Sequence, residues 1–288
     1  MEKAKSRMRI HPAINHSVAG VLTTIPRIAG IVNVTPDSFS DGGRFVDCDI
    51  AIAHGHQLVL DGADLVDVGG ESTRPGAQRV SAEEQLNRVL PVIEALVADG
   101  VAVSVDTTSA QVARVALEAG ATMVNDVSAG EEDSGMLDMV AKAGAQICLM
   151  HKRGQPRDMQ RHTCYEDVVG EVHAYLLQRA RQFVAAGGAP ENVYLDPGIG
   201  FAKELEANVR LIGSMSQLGG YGFKTYLGAS RKTFIGQISG EKDASQRLGG
   251  SVAVALEAAR QGVNVLRVHD VAQTRQALQV ASALWLNR

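Results

Sequence analysis

Short apolar runs alternate with longer segments of helical periodicity along the whole chain. The apolar runs are rich in β-branched residues, as strands are, and they predict strands at residues 28–35, 65–70, 101–106, 123–127, 146–151, 193–198, 225–229 and 265–269. The segments between them predict helices near residues 49–61, 82–98, 109–119, 134–143, 165–186, 203–216, 245–261 and 271–286. Strict alternation indicates a parallel sheet, and eight strands are the number that closes a (β/α)8 TIM barrel.

The ends of these segments define one domain. Residues 1–27 form a basic leader with a weakly alternating stretch at 17–22, which is either a disordered leader or a short hairpin that closes the bottom of the barrel; we prefer the hairpin. Residues 28–288 form the barrel, with no linker or low-complexity tract. Residues 81–84 and 163–166 have the spacing of a capping box, so each predicts a helix start.

Composition narrows the class of protein. The 288 residues suit a single barrel, and a net charge of −4 does not favour a nucleic-acid-binding surface. The 3 cysteines have no CxxC spacing, which argues against structural zinc or a disulfide framework and fits a reducing compartment. No apolar run approaches the roughly 18 residues of a membrane span, so we expect a cytoplasmic protein with no membrane partner.

Polar residues follow every predicted strand. They are Asn33, Glu71 to Pro75, Asp106, Asn125 and Asp126, His151, Asp196, Ser230 to Lys232, and Arg267 to Asp270. The carboxyl ends of barrel strands share one rim, where a charge is partly desolvated and costly unless it has a partner. Their convergence on that rim therefore predicts a binding site.

The chemical types at this rim fall into two groups. Acceptors suited to a flat ligand with amino and ring N–H groups are Asp106, Asn125 and Asp196. Cations suited to an oxyanion or phosphate are Arg231, Lys232, Arg267 and His269. Together they indicate a polar heteroaromatic substrate with an anionic group. No phosphate-binding or dinucleotide glycine motif follows a strand, which disfavours a nucleotide cofactor.

The motifs themselves resemble the dihydropteroate synthase family. They are NVTPDSFSDGG (33–43), GGESTRPGA (69–77), SVDT (104–107), NDV (125–127), LMH (149–151), LDPGIGF (195–201), SRK (230–232) and RVHD (267–270). They occur in the family's order from about residue 28 to the last helix. The resemblance implies a (β/α)8 barrel, in agreement with the alternation of strands and helices.

The resemblance also implies a reaction. The substrates would be (7,8-dihydropterin-6-yl)methyl diphosphate and 4-aminobenzoate, and the products dihydropteroate and diphosphate. It further implies Mg²⁺ as cofactor and a homodimer. Diphosphate leaves readily only if its growing charge is neutralised, and the pterin ring can delocalise the cation left behind. C–O cleavage ahead of attack by the amine is therefore expected, without a covalent nucleophile.

The site roles carried over by the resemblance are specific. Lys232, Arg267 and His269 would be the catalytic residues, with Arg267 and His269 on the diphosphate and Lys232 on the carbonyl side of the pterin. The pterin's nitrogens would bind Asp196, Asn125 and Asp106. Loop residues that would meet the substrate or pack on the aminobenzoate ring are Thr73, Arg74, Phe39 and Pro75. Ser230, with the start of the following helix, would receive the carboxylate. Asn33 would be the metal ligand.

Several of these residues could instead have a purely structural role. Asn33 could be a turn residue, and Asp106 a helix cap, although Ser109 suits that position better. For Asp126 and His151 we expect structural roles, with His151 a buried histidine at a strand end. The same holds for Asp270.

Two other functions remain open from the sequence. One is a methyltetrahydrofolate-binding methyltransferase, which the SRK and NVTPDSFSDGG segments argue against, because a methyl donor has no diphosphate to neutralise. The other is a non-catalytic paralogue that binds pterin. Release of pyrophosphate that requires both substrates distinguishes the three.

Overall fold

Eight parallel strands close into a barrel in sequence order, which confirms the predicted fold. The computed structural model describes residues 25–35, 44–72, 79–155 and 158–286. The strands are β1 (Arg27–Asn33), β2 (Leu65–Gly69), β3 (Val103–Asp106), β4 (Met123–Asp126), β5 (Gln146–Met150), β6 (Val193–Asp196), β7 (Lys224–Gly228) and β8 (Val265–Val268). The barrel closes where β1 pairs with β8. Strand alternation alone thus predicts the topology.

Helices surround this barrel. They are α1 (Arg44–Leu60), α2 (Ala82–Ala98), α3 (Ala110–Glu118), α4 (Met136–Ala143), α5 (Val168–Ala185), α6 (Leu205–Gly213), α7 (Met215–Gly219), α8 (Thr233–Ser239), α9 (Leu248–Arg260) and α10 (Val271–Leu286). No helix in the described ranges is long and apolar enough to cross a membrane.

Two short helices in the structure, α7 and α8, were not predicted as separate helices. The predicted segment 203–216 ends at Gly213, because the Ser214 hydroxyl donates to the carbonyl of Leu211 (3.0 Å) and the chain restarts as α7. Helix α8, directly after β7, was not predicted, because seven residues are too few to show a helical period.

One predicted helix start is confirmed and another is wrong. The Ser81 hydroxyl accepts the Glu84 N–H (3.2 Å), which is the N-cap hydrogen bond of a capping box. Helix α5 instead begins at Val168, capped by Asp167, and the hydroxyl of Thr163 donates to Glu204 (2.9 Å). The pattern at 163–166 was therefore a chance match.

The barrel interior is layered. Its lower part is an apolar plug made of Ala29, Leu65, Met123, Cys148, Tyr194, Tyr226 and Val265. Side chains alternate along a strand, so the residue two positions further points inward one layer higher. On four strands that residue is polar: Asp67, Asn125, Asp196 and Arg267. The polar layer therefore rests directly on the plug.

Candidate active site

A buried charge cluster occupies this polar layer. The guanidinium of Arg267 donates through Nε to Asp67 Oδ2 (2.5 Å) and through Nη2 to Asp106 Oδ2 (2.8 Å). The same Asp67 oxygen accepts the amide Nδ2 of Asn125 (3.1 Å). The structure thus brings together three sequence-predicted residues and adds Asp67.

Asp67 is not among the predicted site residues, because those residues follow the ends of strands. It lies in the middle of β2, in an otherwise apolar run, and is fully buried. A signal was available: a charged residue inside a buried strand, at the same inward register as Leu65 and Gly69, needs a partner.

The ionisation of the cluster follows from burial and proximity. Burial raises the pKa of Asp106, Arg267 lowers it and Asp67 raises it again, and the net result is a pKa of about 7. Burial alone would lower the pKa of Arg267, but Asp67 and Asp106 more than offset this and hold the pKa above its usual value. Arg267 therefore stays charged, and Asp106 titrates near neutrality.

A second acid and cation, Asp196 and Lys232, lie at the end of β6 and directly before α8. Burial raises the pKa of Asp196, while Lys232 lowers it, and Asp196 Oδ1 accepts the Gly198 N–H (2.7 Å). Burial lowers the pKa of Lys232 to about 8, against the effect of Asp196. The Lys232 ammonium donates to the carbonyl of Ile199 and lies 4.8 Å from the ring centroid of Phe201.

Two inward glycines keep space between these groups. A Cβ at Gly69 would lie 3.3 Å from the Cβ of Asp106, and one at Gly228 would lie 3.7 Å from Asp196 Oδ2. Both positions belong to the inward register of their strands. The absence of these side chains leaves room for a flat ligand beside the acids.

Ser230 and His269 contact each other at the ends of β7 and β8. The hydroxyl of Ser230 lies 3.1 Å from His269 Nδ1 and accepts the His269 backbone N–H (3.3 Å). The neighbouring Arg231 is turned away, because its Nε donates to Asp270 (2.9 Å) and its backbone φ is +59°. Arg231 therefore does not join the cations predicted to bind an oxyanion. Asp270, which pairs with Arg231, has the structural role expected of it.

The structural roles of Asp126 and His151 are also confirmed. Asp126 accepts the Ser128 N–H (2.8 Å) and hydroxyl (2.7 Å) and the Gly130 N–H (2.5 Å). His151 is buried, and its Nδ1 lies 3.0 Å from the ammonium of Lys203. Lys203, which the sequence interpretation did not consider, is itself only 4% exposed.

Asn33 is the last residue of β1 and is half-buried at the rim. Within the described ranges, no group of three or more His, Cys, Asp or Glu side chains could hold a metal. Mg²⁺ retains several waters and binds substrate phosphates, so one amide oxygen at the rim fits such an ion. Phe39, Thr73, Arg74 and Pro75 lie outside the described residues, as do residues 1–24 of the leader or hairpin predicted over 1–27.

A groove of about 1000 Å³ opens at the opposite end of the barrel. Its lining includes Thr122, Gln146 and Asn192, which lie at the starts of β4, β5 and β6. It contains none of the polar-layer residues. We place the functional site at the carboxyl ends, because the buried acids and cations converge there.

Comparison with known proteins identifies the family. Residues 29–269 match the family described as pterin binding enzyme. A dihydropteroate synthase from Neisseria meningitidis serogroup C is 46% identical over 266 residues, covering 91% of this chain and 94% of the relative.

Two solved structures have the same fold. Dihydropteroate synthase from Xanthomonas albilineans with 4-aminobenzoic acid superposes with a TM-score of 0.85 at 48% identity, covering 90% of this chain and 93% of the other. The same protein in complex with 7,8-dihydropteroate gives a TM-score of 0.82 at 45% identity, with the same coverage.

Proposed function

Because the chain belongs to the pterin-binding enzyme family and its relatives are dihydropteroate synthases, we propose which of its rim residues act in each part of the dihydropteroate synthase reaction. The enzyme is a transferase that condenses (7,8-dihydropterin-6-yl)methyl diphosphate with 4-aminobenzoate, giving 7,8-dihydropteroate and diphosphate. The observation that carries the assignment of roles is the buried polar layer, with acceptors and a fixed guanidinium side by side.

The hydrogen-bond acceptors of the polar layer would bind the pterin ring. Asp106, Asn125 and Asp196 are 9%, 4% and 5% exposed, so a ligand's amino and ring N–H groups would meet them away from water. A site built on buried acceptors rejects ligands that lack the matching donors, because its polar groups would then be unpaired. Lys232 lies beside Asp196 and would donate to the pterin carbonyl.

The cations would neutralise the charge of the departing diphosphate. Arg267 uses two of the five N–H donors of a guanidinium on Asp67 and Asp106, so the others are available to diphosphate oxygens. His269, held by Ser230, would add a second donor. When bound at Asn33, Mg²⁺ would supply further neutralisation of the diphosphate charge.

Bond changes follow from this division. The methylene C–O bond breaks and its electron pair leaves with the diphosphate, while the pterin ring delocalises the positive charge. The aromatic amine then forms the C–N bond and loses its proton. No side chain forms a covalent intermediate, and the acceptors hold the ring in place throughout.

The aminobenzoate side of the site rests on fewer described residues. Thr73, Arg74, Phe39 and Pro75 keep the roles that the sequence predicts, as proposals. Ser230 was expected to bind the carboxylate; its contacts with His269 favour a role in orienting the imidazole, and we propose that role.

Assembly and location are proposals as well. The homodimer follows from the family, and light scattering of the purified enzyme tests it: twice the 30.5 kDa chain mass is expected. The cytoplasmic location stays a prediction of the sequence.

One coupled assay tests the function. Pyrophosphate release in the presence of both substrates, with formation of dihydropteroate, is expected. Transfer of a methyl group from methyltetrahydrofolate would favour the methyltransferase, and pterin binding with no turnover would favour the non-catalytic paralogue. If cleavage precedes attack, a single turnover without 4-aminobenzoate should still release some pyrophosphate.

A further inference from the structure

We propose that Asp67 is a positioning residue for pterin binding, which fixes the guanidinium of Arg267 and the side-chain amide of Asn125 in one orientation. The proposal rests on the proposed function, since both partners are assigned to the substrate. It adds to the site a residue that does not lie at the rim and would not itself touch the pterin.

The contacts of Asp67 point only to the site. Its Oδ2 accepts Arg267 Nε (2.5 Å) and Asn125 Nδ2 (3.1 Å), and its Oδ1 has no hydrogen-bond partner among the described residues. Asp126, on β4, shows what a structural acid does instead: both of its oxygens bind the backbone and hydroxyl groups of its own loop. Asp67 stabilises no turn or helix end.

The orientation of the Asn125 amide follows from this contact. An amide side chain can present either its oxygen or its NH2 group, but an ionised carboxylate only accepts hydrogen bonds. Asn125 must therefore turn its NH2 group toward Asp67, which leaves its carbonyl oxygen as the acceptor for the ligand. Without Asp67 both orientations become accessible, and one of them presents a donor to the pterin's own donors.

The orientation of Arg267 is fixed in the same way. Asp106 holds one terminal nitrogen of the guanidinium (2.8 Å), and Asp67 holds Nε, so two contacts define the plane of the group. A single contact would leave rotation about that hydrogen bond. Because Arg267 is 200 residues from Asp67 in sequence, this contact also joins β2 to β8 across the barrel interior.

The test compares three variants by titration calorimetry with 6-hydroxymethylpterin, which has no diphosphate. Asp67→Ala removes both contacts and is expected to weaken binding roughly 10- to 100-fold, the usual cost of buried polar groups left without partners. Asp67→Asn retains an acceptor oxygen and should lose about fivefold or less. Ser104→Ala is the matched control, because Ser104 is the register partner of Asp67 and its hydroxyl has no hydrogen bond in the described ranges.

A pH profile separates positioning from packing. The groups that act on the pKa of Asp106 are Arg267, Asp67, Asp126 and Glu71, besides burial. Asp67 raises that pKa, so its replacement by Asn should move the acid limb of kcat/KM, expected near pH 7, to lower pH. Ser104→Ala should leave the limb in place.

Each possible result of these experiments supports or overturns the inference. A folded Asp67→Ala enzyme that binds 6-hydroxymethylpterin as tightly as the wild type would overturn the inference. If Asp67→Ala does not fold, the Asp67→Asn profile decides: a shifted limb supports the inference and an unchanged limb overturns it. Failure of the wild type to bind the pterin would overturn the proposed function and this inference together.

Discussion

Two cations near the carboxyl ends of the strands have opposite kinds of partner. Arg267 lies between the carboxylates of Asp67 and Asp106. Lys203 makes no ion pair in the described ranges; its amino group donates to the His151 carbonyl (3.2 Å) and the Phe201 carbonyl (2.9 Å), and its Nζ lies 3.0 Å from His151 Nδ1. One cation therefore has charged partners and the other has only neutral ones.

The difference sets their ionisation. Arg267 keeps its charge because two acids more than offset the effect of burial on its pKa. Burial lowers the pKa of Lys203 well below its usual value of 10.5, and Asp196 only partly opposes this. Burial and then Lys203 lower the pKa of His151 to about 2, so its imidazole is neutral and Nδ1 can accept. A buried charge needs a counter-charge to persist.

The Lys203 cluster has a structural use that does not need charge. It ties the end of β5 to the loop after β6, whose Ile199 carbonyl and Phe201 ring contact Lys232. The fit is close at Gly198, where φ is +70° and an added Cβ would lie 2.0 Å from the His151 carbonyl oxygen. Only glycine is tolerated there.

The largest effect is expected from removing the charged partner of the two acids. Arg267→Met leaves Asp67 and Asp106 buried without a cation and should cost about 3–5 kcal/mol of unfolding free energy at pH 8. The loss should shrink toward pH 5.5, because protonation of Asp106 then relieves the repulsion. Urea denaturation at both pH values measures it; a loss that does not change with pH would contradict the charge argument.

A smaller loss of stability is expected from replacing Lys203. The relative cost of Lys203→Met and Lys203→Arg tests whether Lys203 is charged in the folded protein. Lys203→Met leaves carbonyl acceptors without a donor, at about 1–3 kcal/mol. Lys203→Arg should cost more, because a guanidinium cannot give up its proton in a site with no acid partner. Equal or milder destabilisation by Arg would show that Lys203 is charged in the folded enzyme.

The same residue predicts a slope with pH. The unfolded chain binds the Lys203 proton up to about its usual pKa of 10.5, whereas the folded chain releases it at lower pH. Stability therefore rises with pH between the two values and is level above 10.5. Lys203→Met should lack its share of this rise, and the difference from wild type in urea denaturation between pH 8 and pH 10 measures it.

Lys232 is intermediate between the two cations, because Asp196 opposes burial without cancelling it. Its pKa of about 8 predicts that kcat/KM falls above that pH as Lys232 loses its proton. Lys232→Arg should slow turnover roughly tenfold and remove this alkaline limb from the accessible range. A limb that stays at pH 8 in the variant would assign it to another group.

The smallest effect is expected from a neutral contact. Ser230→Ala removes the hydroxyl beside His269 Nδ1 and should cost about 0.5–1.5 kcal/mol in kcat/KM for the pterin diphosphate. Steady-state kinetics with each substrate varied in turn measures it. A larger effect on 4-aminobenzoate than on the pterin substrate would return Ser230 to the carboxylate, as the sequence had suggested.

The sequence by itself determined the barrel and much of its polar rim. Strand periodicity and alternation with helices are local properties, so eight parallel strands could be predicted. The positions of Asp106, Asn125, Asp196 and Arg267 followed because a polar residue at a strand end is visible in the sequence. Short helices such as α8 could not be predicted, because they contain too few residues to show a helical period.

Only the tertiary structure decided which of these polar residues are partners. The contacts of Arg267 span 200 residues to Asp67 and 161 to Asp106, and they depend on closure of the barrel and on strand register. The same holds for Lys203 and His151, 52 residues apart, whose burial sets their ionisation. A local pattern reports the period of a segment, whereas the pKa of a buried group depends on neighbours that folding alone brings near.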